Sequence, residues 1–320
     1  MNNTKTVLIV ILVFALFSYN IPLTYPEAET NVTIHFIDVG QGDSIFIDTH
    51  EKDVLIDAGS KSATQTVLNY LANLNITHIH LVLATHAHED HIGGLVGVLN
   101  SNITIDTVLY NNQTYTSATY TNFVSAAQPH NLTVAQRGQI YILTQTTNLT
   151  VLNPVQPLEF SHQNDNSIVT KLQTGNISFL FTGDAETPAE NSMLISSVSS
   201  LQCDVLKIGH HGSKTATSQT LLDITNPKYA IISAGLNNKY GHPHNETLQT
   251  LETKNVTTYC TINSGSIVIQ TTGNDITFLD NPTPIIIPEI PQTLVLLVLA
   301  VTLTVAVFCK QKRTKTNNKF

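Results

Sequence analysis

His86, His88, Asp90 and His91 stand within six positions of one another in the stretch "LATHAHEDHIGG". Neutral imidazole and carboxylate are borderline ligands that suit Zn²⁺, Mn²⁺ or Fe²⁺. In a tight turn, residues two apart converge on one side, so His86 and His88 can share one metal. Asp90 and His91 then face a second metal a few ångströms away. A His-rich solvated loop is the competing reading. The apolar run before the stretch, and "GG" with a helical pattern after it, favour a metal site. A dinuclear site needs ligands from elsewhere, and the chain offers them after two other apolar runs. These are Asp184 in "FLFTGDAE", and His210 and His211 in "DVLKIGHHGS". Asp184 is placed to bridge two metals; its alternative role is the N-cap of a helix starting at Ala185–Glu186. Two such metals would lower the pKa of a shared water toward neutrality and clamp an in-line displacement at phosphorus. No Ser or Cys nucleophile is then needed.

The elements that must hold these donors are readable from periodicity. "VTIHFIDVG", "SIFIDT" and "DVLIDAG" read as three successive strands separated by Gly or Asp turns. "ATQTVLNYLANLN" has helical spacing at Val67, Leu68 and Leu71. "HIHLVLAT" is a buried strand ending at the His-rich loop, and "HIGGLVGVLN" starts a helix after it. Weaker strands are expected at 104–110, 132–134, 140–143 and 149–152. Stronger ones follow in "SIVTKLQT", "ISFLFTGD", "DVLKIGH", "YAIISAG", "TTYCT" and "SIVIQTT". Every donor thus follows the C-terminal end of an apolar strand, where a rigid scaffold presents a loop. Strand-rich halves with interspersed helices predict an α/β layered sandwich around one core. Asn111–His130, polar and rich in Tyr and Thr, is expected as a loop over the site. The chain shows no internal repeat.

These segments carry a family resemblance. "HFIDVGQGDSIFID", "THAHEDHIGG", "NDNSIVTKL", "FLFTGDAE", "DVLKIGHHGS" and "YGHP" occur in an order and spacing that resembles the metallo-β-lactamase domain of ComEC-type competence proteins, over roughly residues 32–272. The resemblance implies a four-layer αβ/βα sandwich with the site along one edge of two sheets. It also implies hydrolysis by a metal-bound hydroxide; two divalent ions are expected, both zinc, with manganese as the alternative metal. By motif position, His86 and His88 resemble ligands of the first metal. Asp90, His91 and His210 resemble those of the second, and Asp184 the bridge; His211 stays open beside His210. Many enzymes of this fold bring a further His to the first metal from mid-chain. Here Asn166–Ser167 match the competence-type pattern, and His162 lies four residues earlier as a substitute or a loop residue. Asp43 in "GQGDS" either aims at the site or serves the turn. His242 in "YGHPH" is a candidate donor to a substrate oxyanion or leaving group, with a solvated loop histidine as its alternative.

Composition and the chain ends bear on location and partners. Apolar residues make up 42% of the 320 residues, enough for a sizeable core, and charged residues only 12%. A net charge of −8 argues against a broad basic surface for nucleic acid. Lys207, Lys214 and Lys239 flank the strand-end motifs and either meet phosphate charge or sit on the surface. Lys5 before the apolar run Val7–Phe17 reads as a signal peptide or N-terminal anchor over 1–24. The hydrolase domain is expected over 30–280 and a Pro-rich linker over 281–292. A transmembrane helix over 293–309 and a basic cytoplasmic tail over 310–320 complete the chain. Five basic residues and no acids in that tail place it inside and the body outside the cytoplasm. Sequons at Asn31, Asn75, Asn102, Asn112, Asn131, Asn148, Asn176, Asn245 and Asn255 agree with that placement. Cys203 and Cys260 are either a pair or lone buried thiols.

The leading expectation is a membrane-anchored, extracytoplasmic metal-dependent hydrolase of phosphodiesters such as DNA. A hydrolase of a non-nucleic ester, amide or lactone is the alternative. A non-catalytic surface binding module on the same scaffold is the third reading. The reading departs from competence proteins in one respect: a single terminal anchor is expected in place of a polytopic channel, so DNA uptake is not expected to carry over.

Overall fold

Side-chain alternation along the strands decides the layering. Val32, Ile34 and Phe36 of β1 (Val32–Phe36) and Ile45 and Ile47 of β2 (Ile45–Asp48) enter one core, whereas Phe46 enters another. On β4 (His78–Ala84), Leu81 and Leu83 join the first core, and Val82 and Ala84 the second. Phe179 and Phe181 of β10 (Ile177–Phe181) enter the first core from the other half of the chain, and Leu180 enters a third. Successive residues of a strand face opposite sides, so the shared first core must lie between two sheets. Its cohesion is large: truncating a fully buried ring such as Phe179 to Ala costs about 3–5 kcal/mol.

The computed structural model describes residues 31–197 and 201–285. The first sheet has eight strands in the order β15 (Thr277–Phe278), β14 (Ile267–Thr271), β1, β2, β3 (Val54–Ile56), β4, β5 (Thr104–Tyr110), β6 (Asn131–Val134). The second has seven, in the order β13 (Thr257–Cys260), β12 (Tyr229–Ile232), β11 (Val205–Lys207), β10, β9 (Val169–Thr174), β8 (Thr147–Asn153), β7 (Ile140–Ile142). Both sheets are mixed. β3 to β6 run parallel in one and β10 to β13 in the other, while the remaining neighbours are antiparallel. Helices α1 (Thr64–Asn73), α2 (Glu89–Ile92), α3 (Leu95–Leu99) and α4 (Ala118–Ala127) pack on the outside of the first sheet. Helices α5 (Thr187–Ser197), α6 (Gln219–Thr225) and α7 (Asn245–Thr253) cover the outside of the second. The layers are therefore helix, sheet, sheet, helix, the αβ/βα architecture expected.

Three expectations change. Asn111–His130 is not all loop, because α4 occupies Ala118–Ala127. Phe123, Ala126 and Ala127 bury one face of it, and Ser117 Oγ caps it by accepting from Tyr120 N at 3.0 Å. The Thr-rich composition masks that short stripe. The run after the His-rich loop is two short helices, α2 and α3, rather than one. The first residues of the expected linker are pinned to the sheet edge: Ile285 N donates to Thr258 O at 2.8 Å, beside a Tyr259–Pro284 bridge. Segments 1–24, 293–309 and 310–320 lie outside the described residues, as does the rest of 281–292. Cys203 and Cys260 are free buried thiols.

Candidate metal centre

The donors converge because their strands end at a common edge. β4 delivers His86, β10 delivers Asp184, and β11 delivers His210 and His211, each within a few residues of the strand's last hydrogen bond. Ligand sites in α/β sheets form outside the carboxyl ends of strands for this reason. Two glycines let the supporting loops meet. A Cβ on Gly42 (φ +137°) would lie 2.2 Å from Asp90 O, and one on Gly94 would lie 1.9 Å from Ala58 O. The β1–β2 turn therefore seats directly on the metal loop, where Asp43 N donates to Asp90 O at 3.3 Å. His210 (φ 46°, ψ 48°) and His211 (φ 53°, ψ 25°) are both left-handed. That conformation is costly for non-glycine residues and persists only where the surroundings hold it. Here His210 N donates to Gly183 O at 3.1 Å, and Ser213 N to His210 O at 2.8 Å.

Asp184 is the hub. Its Oδ1 faces His91 Nε2 at 3.2 Å and His211 Nε2 at 3.6 Å; its Oδ2 faces His86 Nε2 at 3.6 Å and His210 Nε2 at 3.7 Å. Asp90 Oδ2 approaches His211 Nε2 at 3.4 Å. His86 Nε2 and His88 Nδ1 meet at 2.9 Å. Three of the imidazoles are oriented from behind. His91 Nδ1 lies 2.7 Å from Asp57 Oδ2, which also accepts from Thr85 Oγ1 at 2.6 Å. His211 Nδ1 donates to Ser233 O at 3.0 Å, and His210 Nδ1 lies 2.8 Å from Glu186 Oε1. Each pairing holds its ring from the Nδ1 side and turns Nε2 toward Asp184, the orientation a metal ligand requires.

The electrostatics show a site built around positive charge. Burial opposes the charge on His91, yet Asp184 and Asp57 outweigh it and raise its pKa well above the ordinary value. Burial likewise opposes His211, and Asp184, Asp43 and Asp90 raise it to about 9. Asp184 is held well below the carboxylate range by His91 and His211, against the cost of its burial. Burial, with His91 alongside, pushes His86 well down, and His88 is lowered by the same two causes. Burial, with His210, His211 and His244 nearby, lowers His242 to about 4, so it is neutral at physiological pH.

The donor set fits divalent metal. His91 Nε2, His211 Nε2 and Asp184 Oδ1 are buried without a hydrogen-bond partner, an expensive state for polar atoms unless a cation completes them. Ligand atoms of His86, His91 and Asp184 lie within 4.8 Å of one another, as do those of Asp90, His91 and His211. Such pairs of imidazole and carboxylate groups suit zinc or manganese.

The remaining sequence candidates fall in distinct places. His88, Asp90, His162, Asp184, His210, His211 and His242 line one cleft of about 1080 Å³. Asn166 does not: it is buried, and its Nδ2 ties the loop together through Gln113 Oε1 at 2.9 Å and Phe160 O at 2.6 Å. Asn164 lines the cleft instead, donating to Glu186 Oε1 at 3.1 Å. Asp43 is buried against Lys207 Nζ at 2.9 Å and His211 Nδ1 at 3.3 Å. Burial would raise its carboxyl, but Lys207 and His211 bring it down to about 2. Lys207 is thus neither a surface residue nor a phosphate ligand; it is buried as the counter-ion of Asp43. Lys214 is exposed beside Glu246, and Lys239 lines the cleft. Sequence reasoning missed Asp57 and Glu186. Asp57 carried the same signal as the others, an acid after an apolar strand and before Gly in "DVLIDAG". Glu186 stood two residues beyond Asp184. A separate group, His78, His80 and Asp106, is closed on itself. His78 Nε2 meets Asp106 Oδ1 at 2.8 Å, and His80 Nδ1 accepts from Asp53 N at 3.1 Å.

The sequence pattern of the Metallo-beta-lactamase superfamily matches residues 37–235, well over half of the chain and all of the strand-end donors. The chain belongs to the metallo-beta-lactamase superfamily. With the buried His/Asp cluster in place, it is a hydrolase of that superfamily. ComE operon protein 3 of Bacillus subtilis (strain 168) is 29% identical over 263 residues, covering 76% of this chain and 33% of that protein. Exodeoxyribonuclease YycJ of Bacillus anthracis is 43% identical over 58 residues, 18% of this chain and 22% of that protein. The chain therefore spans about a third or less of these relatives. Among solved structures, the metallo-beta-lactamase fold protein YhfI from Bacillus subtilis superposes with a TM-score of 0.50 at 12% identity, covering 76% of this chain and 100% of that one, which shows the shared fold.

Proposed function

We propose that the chain is a membrane-anchored, extracytoplasmic metal-dependent phosphodiesterase acting on DNA-like strands. The carrying observation is the Asp184 hub, with the Nε2 atoms of four histidines 3.2–3.7 Å from one carboxylate. His86, His88 and Asp184 would hold one divalent ion; Asp90, His91, His211 and Asp184 the other. When bound, such ions supply Lewis acidity and a nucleophilic water at neutral pH. The similarity to ComE operon protein 3 and to a protein named exodeoxyribonuclease supports a DNA-like substrate.

The chain's own residues do the rest. Asp57, Ser233 and Glu186 lock three imidazoles in one tautomer and orientation. His210 is the part-exposed member of the histidine pair, with 24% of its side chain accessible, and it sits on the Glu186 carboxylate. That pair is suited to hold a proton at His210 Nε2 and pass it to the leaving oxygen. Neutral His242 offers a hydrogen bond to a substrate oxygen. Glu89, Asp90, Asp184 and Glu186 line the cleft against one Lys or Arg, Lys239, among the described residues. An anionic substrate is repelled by that lining until cations reverse its sign, so binding as well as turnover depends on metal.

The location reading rests on the chain ends. It is supported by the sequon asparagines, none of which is buried. Protease added to intact cells should remove the body; complete protection would contradict an outside location. For the chemistry, the purified full-length chain is assayed for bound metal and for cleavage of single- and double-stranded DNA, bis-p-nitrophenyl phosphate, lactones and a β-lactam. Intact DNA with a cleaved lactone or amide would move the assignment to a non-nucleic ester or amide. Bound metal with no turnover on any substrate would favour a binding module. Asp184→Asn should abolish turnover with the fold retained; full activity would sink the hub role.

A further inference from the structure

We infer that Tyr115 and Tyr240 are base-stacking platforms at the two ends of a single-strand track over the metal centre. The inference rests on the phosphodiester reading and specifies which strand the site takes. A continuous row of rings runs from one side of the cleft to the other, its middle members His86 and His91 buried beneath it. Tyr115 packs edge-on against His88 at 5.6 Å, and His88 against His86 at 4.6 Å. His86 meets His91 at 4.2 Å, and His91 meets His211 at 5.2 Å. His211 lies 6.3 Å from His242, and His242 stacks on Tyr240 at 5.6 Å. The two members that end the row are the tyrosines, and both are open to solvent, 38% exposed for Tyr115 and 51% for Tyr240. Both line the same cleft as Asp184.

Neither ring needs that exposure for the fold, and each is held on a braced loop. Asn238 alone makes four hydrogen bonds within the Tyr240 loop. Its Nδ2 donates to Gly235 O at 2.8 Å and His242 O at 2.6 Å, and its Oδ1 accepts from Tyr240 N at 3.2 Å and His242 N at 3.0 Å. The Tyr115 loop is tied on both sides. Gln163 Nε2 donates to Thr114 O at 3.1 Å, and Ser117 N to Tyr115 O at 3.2 Å. Rigid exposed aromatic faces are what sequence-tolerant stacking uses. Lys239 Nζ lies over the Tyr240 ring, 4.9 Å from its centroid; a stacking base displaces this flexible side chain from the face and leaves its cation beside the ring for a backbone phosphate. A strand crossing the hub would carry bases on either side of the reacting diester toward the two tyrosines, one side toward each. Bases in a duplex are already paired and stacked, and turning them out costs a few kcal/mol. Single strands and frayed ends are therefore the substrate.

The test measures binding of phosphorothioate strands of about 12 nucleotides, within the span such grooves cover. Fluorescence anisotropy follows a thymidine strand, an abasic strand of equal charge and a hairpin duplex on the metal-loaded full-length chain. Each stack is expected to contribute about tenfold, so wild type should prefer the thymidine strand over the abasic one by about a hundredfold. Tyr115→Ala and Tyr240→Ala should each remove about tenfold of that preference and leave abasic binding unchanged. Tyr115→Phe and Tyr240→Phe should keep it, because the face and not the hydroxyl is used. Equal wild-type binding of the two strands, or alanine effects equal on both, overturns the inference. If the abasic strand binds and is cleaved as well as the thymidine strand, the phosphodiester reading stands and only the stacking role falls. If no strand binds, both fall.

Discussion

The adjacent histidines His210 and His211 should divide labour, and the two can be separated. His211 is fully buried, with Nε2 3.4 Å from Asp90 Oδ2 and 3.6 Å from Asp184 Oδ1. In the proposed assignment His211→Ala removes a direct donor and leaves Asp43, Asp90 and Asp184 crowded around a lost base. Losing an outer-sphere partner alone costs about 10–100-fold in metal affinity, so loss of this donor should cost at least about 100-fold. His210 is open to the cleft and paired with Glu186 at 2.8 Å. His210→Ala should keep both metals and lose proton donation, about 10²–10⁴-fold in kcat, equivalent to about 3–5 kcal/mol. Glu186→Gln weakens one charge-assisted hydrogen bond, about 1.5–3 kcal/mol, and should cost roughly 10–100-fold. The assay is metal content after gel filtration, with kcat on two substrates. DNA has a poor leaving oxygen that needs a proton; bis-p-nitrophenyl phosphate releases an anion that leaves unaided. The His210 and Glu186 variants should fail on DNA and retain the aryl diester. Loss of metal from His210→Ala, equal losses on both substrates, or a His211→Ala variant that holds both metals would refute the division.

Other outcomes follow from the same structure. Removing metal with a chelator should abolish DNA binding as well as turnover, and an apo chain that binds strands at full affinity would contradict the acidic lining of the cleft. Lys207→Met removes the nearer cation of buried Asp43 and leaves it His211 alone, so stability should fall, by up to about 3–5 kcal/mol in urea unfolding, and Lys207→Met with Asp43→Asn should recover part of it. Gly42→Ala places a methyl 2.2 Å from Asp90 O and should lower metal content at nearly unchanged secondary structure by circular dichroism. His35 is buried, with Nδ1 3.0 Å from Tyr70 Oη and Nε2 unpartnered, and burial lowers its pKa despite Asp48 and Asp280. Because the unfolded chain takes up that proton more readily, its contribution is complete above the ordinary histidine pKa and is lost as pH falls below it. Urea midpoints should therefore fall less steeply from about pH 7 to about pH 5 in His35→Gln than in wild type.

How far the chain could be read in advance differs between its parts. The central strand positions were legible because those strands are apolar runs of strand length, whereas the two-residue edge strand β15 (Thr277–Phe278), too short and polar to show such a run, was not anticipated. α4 was hidden because its buried stripe is only Phe123, Ala126 and Ala127 within a Thr-rich segment. At the site, His86, His88, Asp90, His91 and Asp184 stood out by type and by their place after strands. Asp57 shared that place but lacked neighbours of its own kind, and Lys207 looked like a surface cation, because burial of a lysine is visible only with its partner.

By itself the sequence determined which groups exist, that they follow strand ends, and that these chemistries suit divalent metal. The tertiary structure decided which donors meet. Asp43 and Lys207 are far apart along the chain, as are Asp57 and His91, yet each pair is in direct contact. It also sorted His210 from His211, adjacent residues of one type that sequence spacing cannot distinguish. Two left-handed backbone steps give the two rings different surroundings: His211 is fully buried among Asp43, Asp90 and Asp184, and His210 is part-exposed beside Glu186. Direction and burial come from backbone torsion and the packing of remote strands, and neither is encoded in the local order of residues.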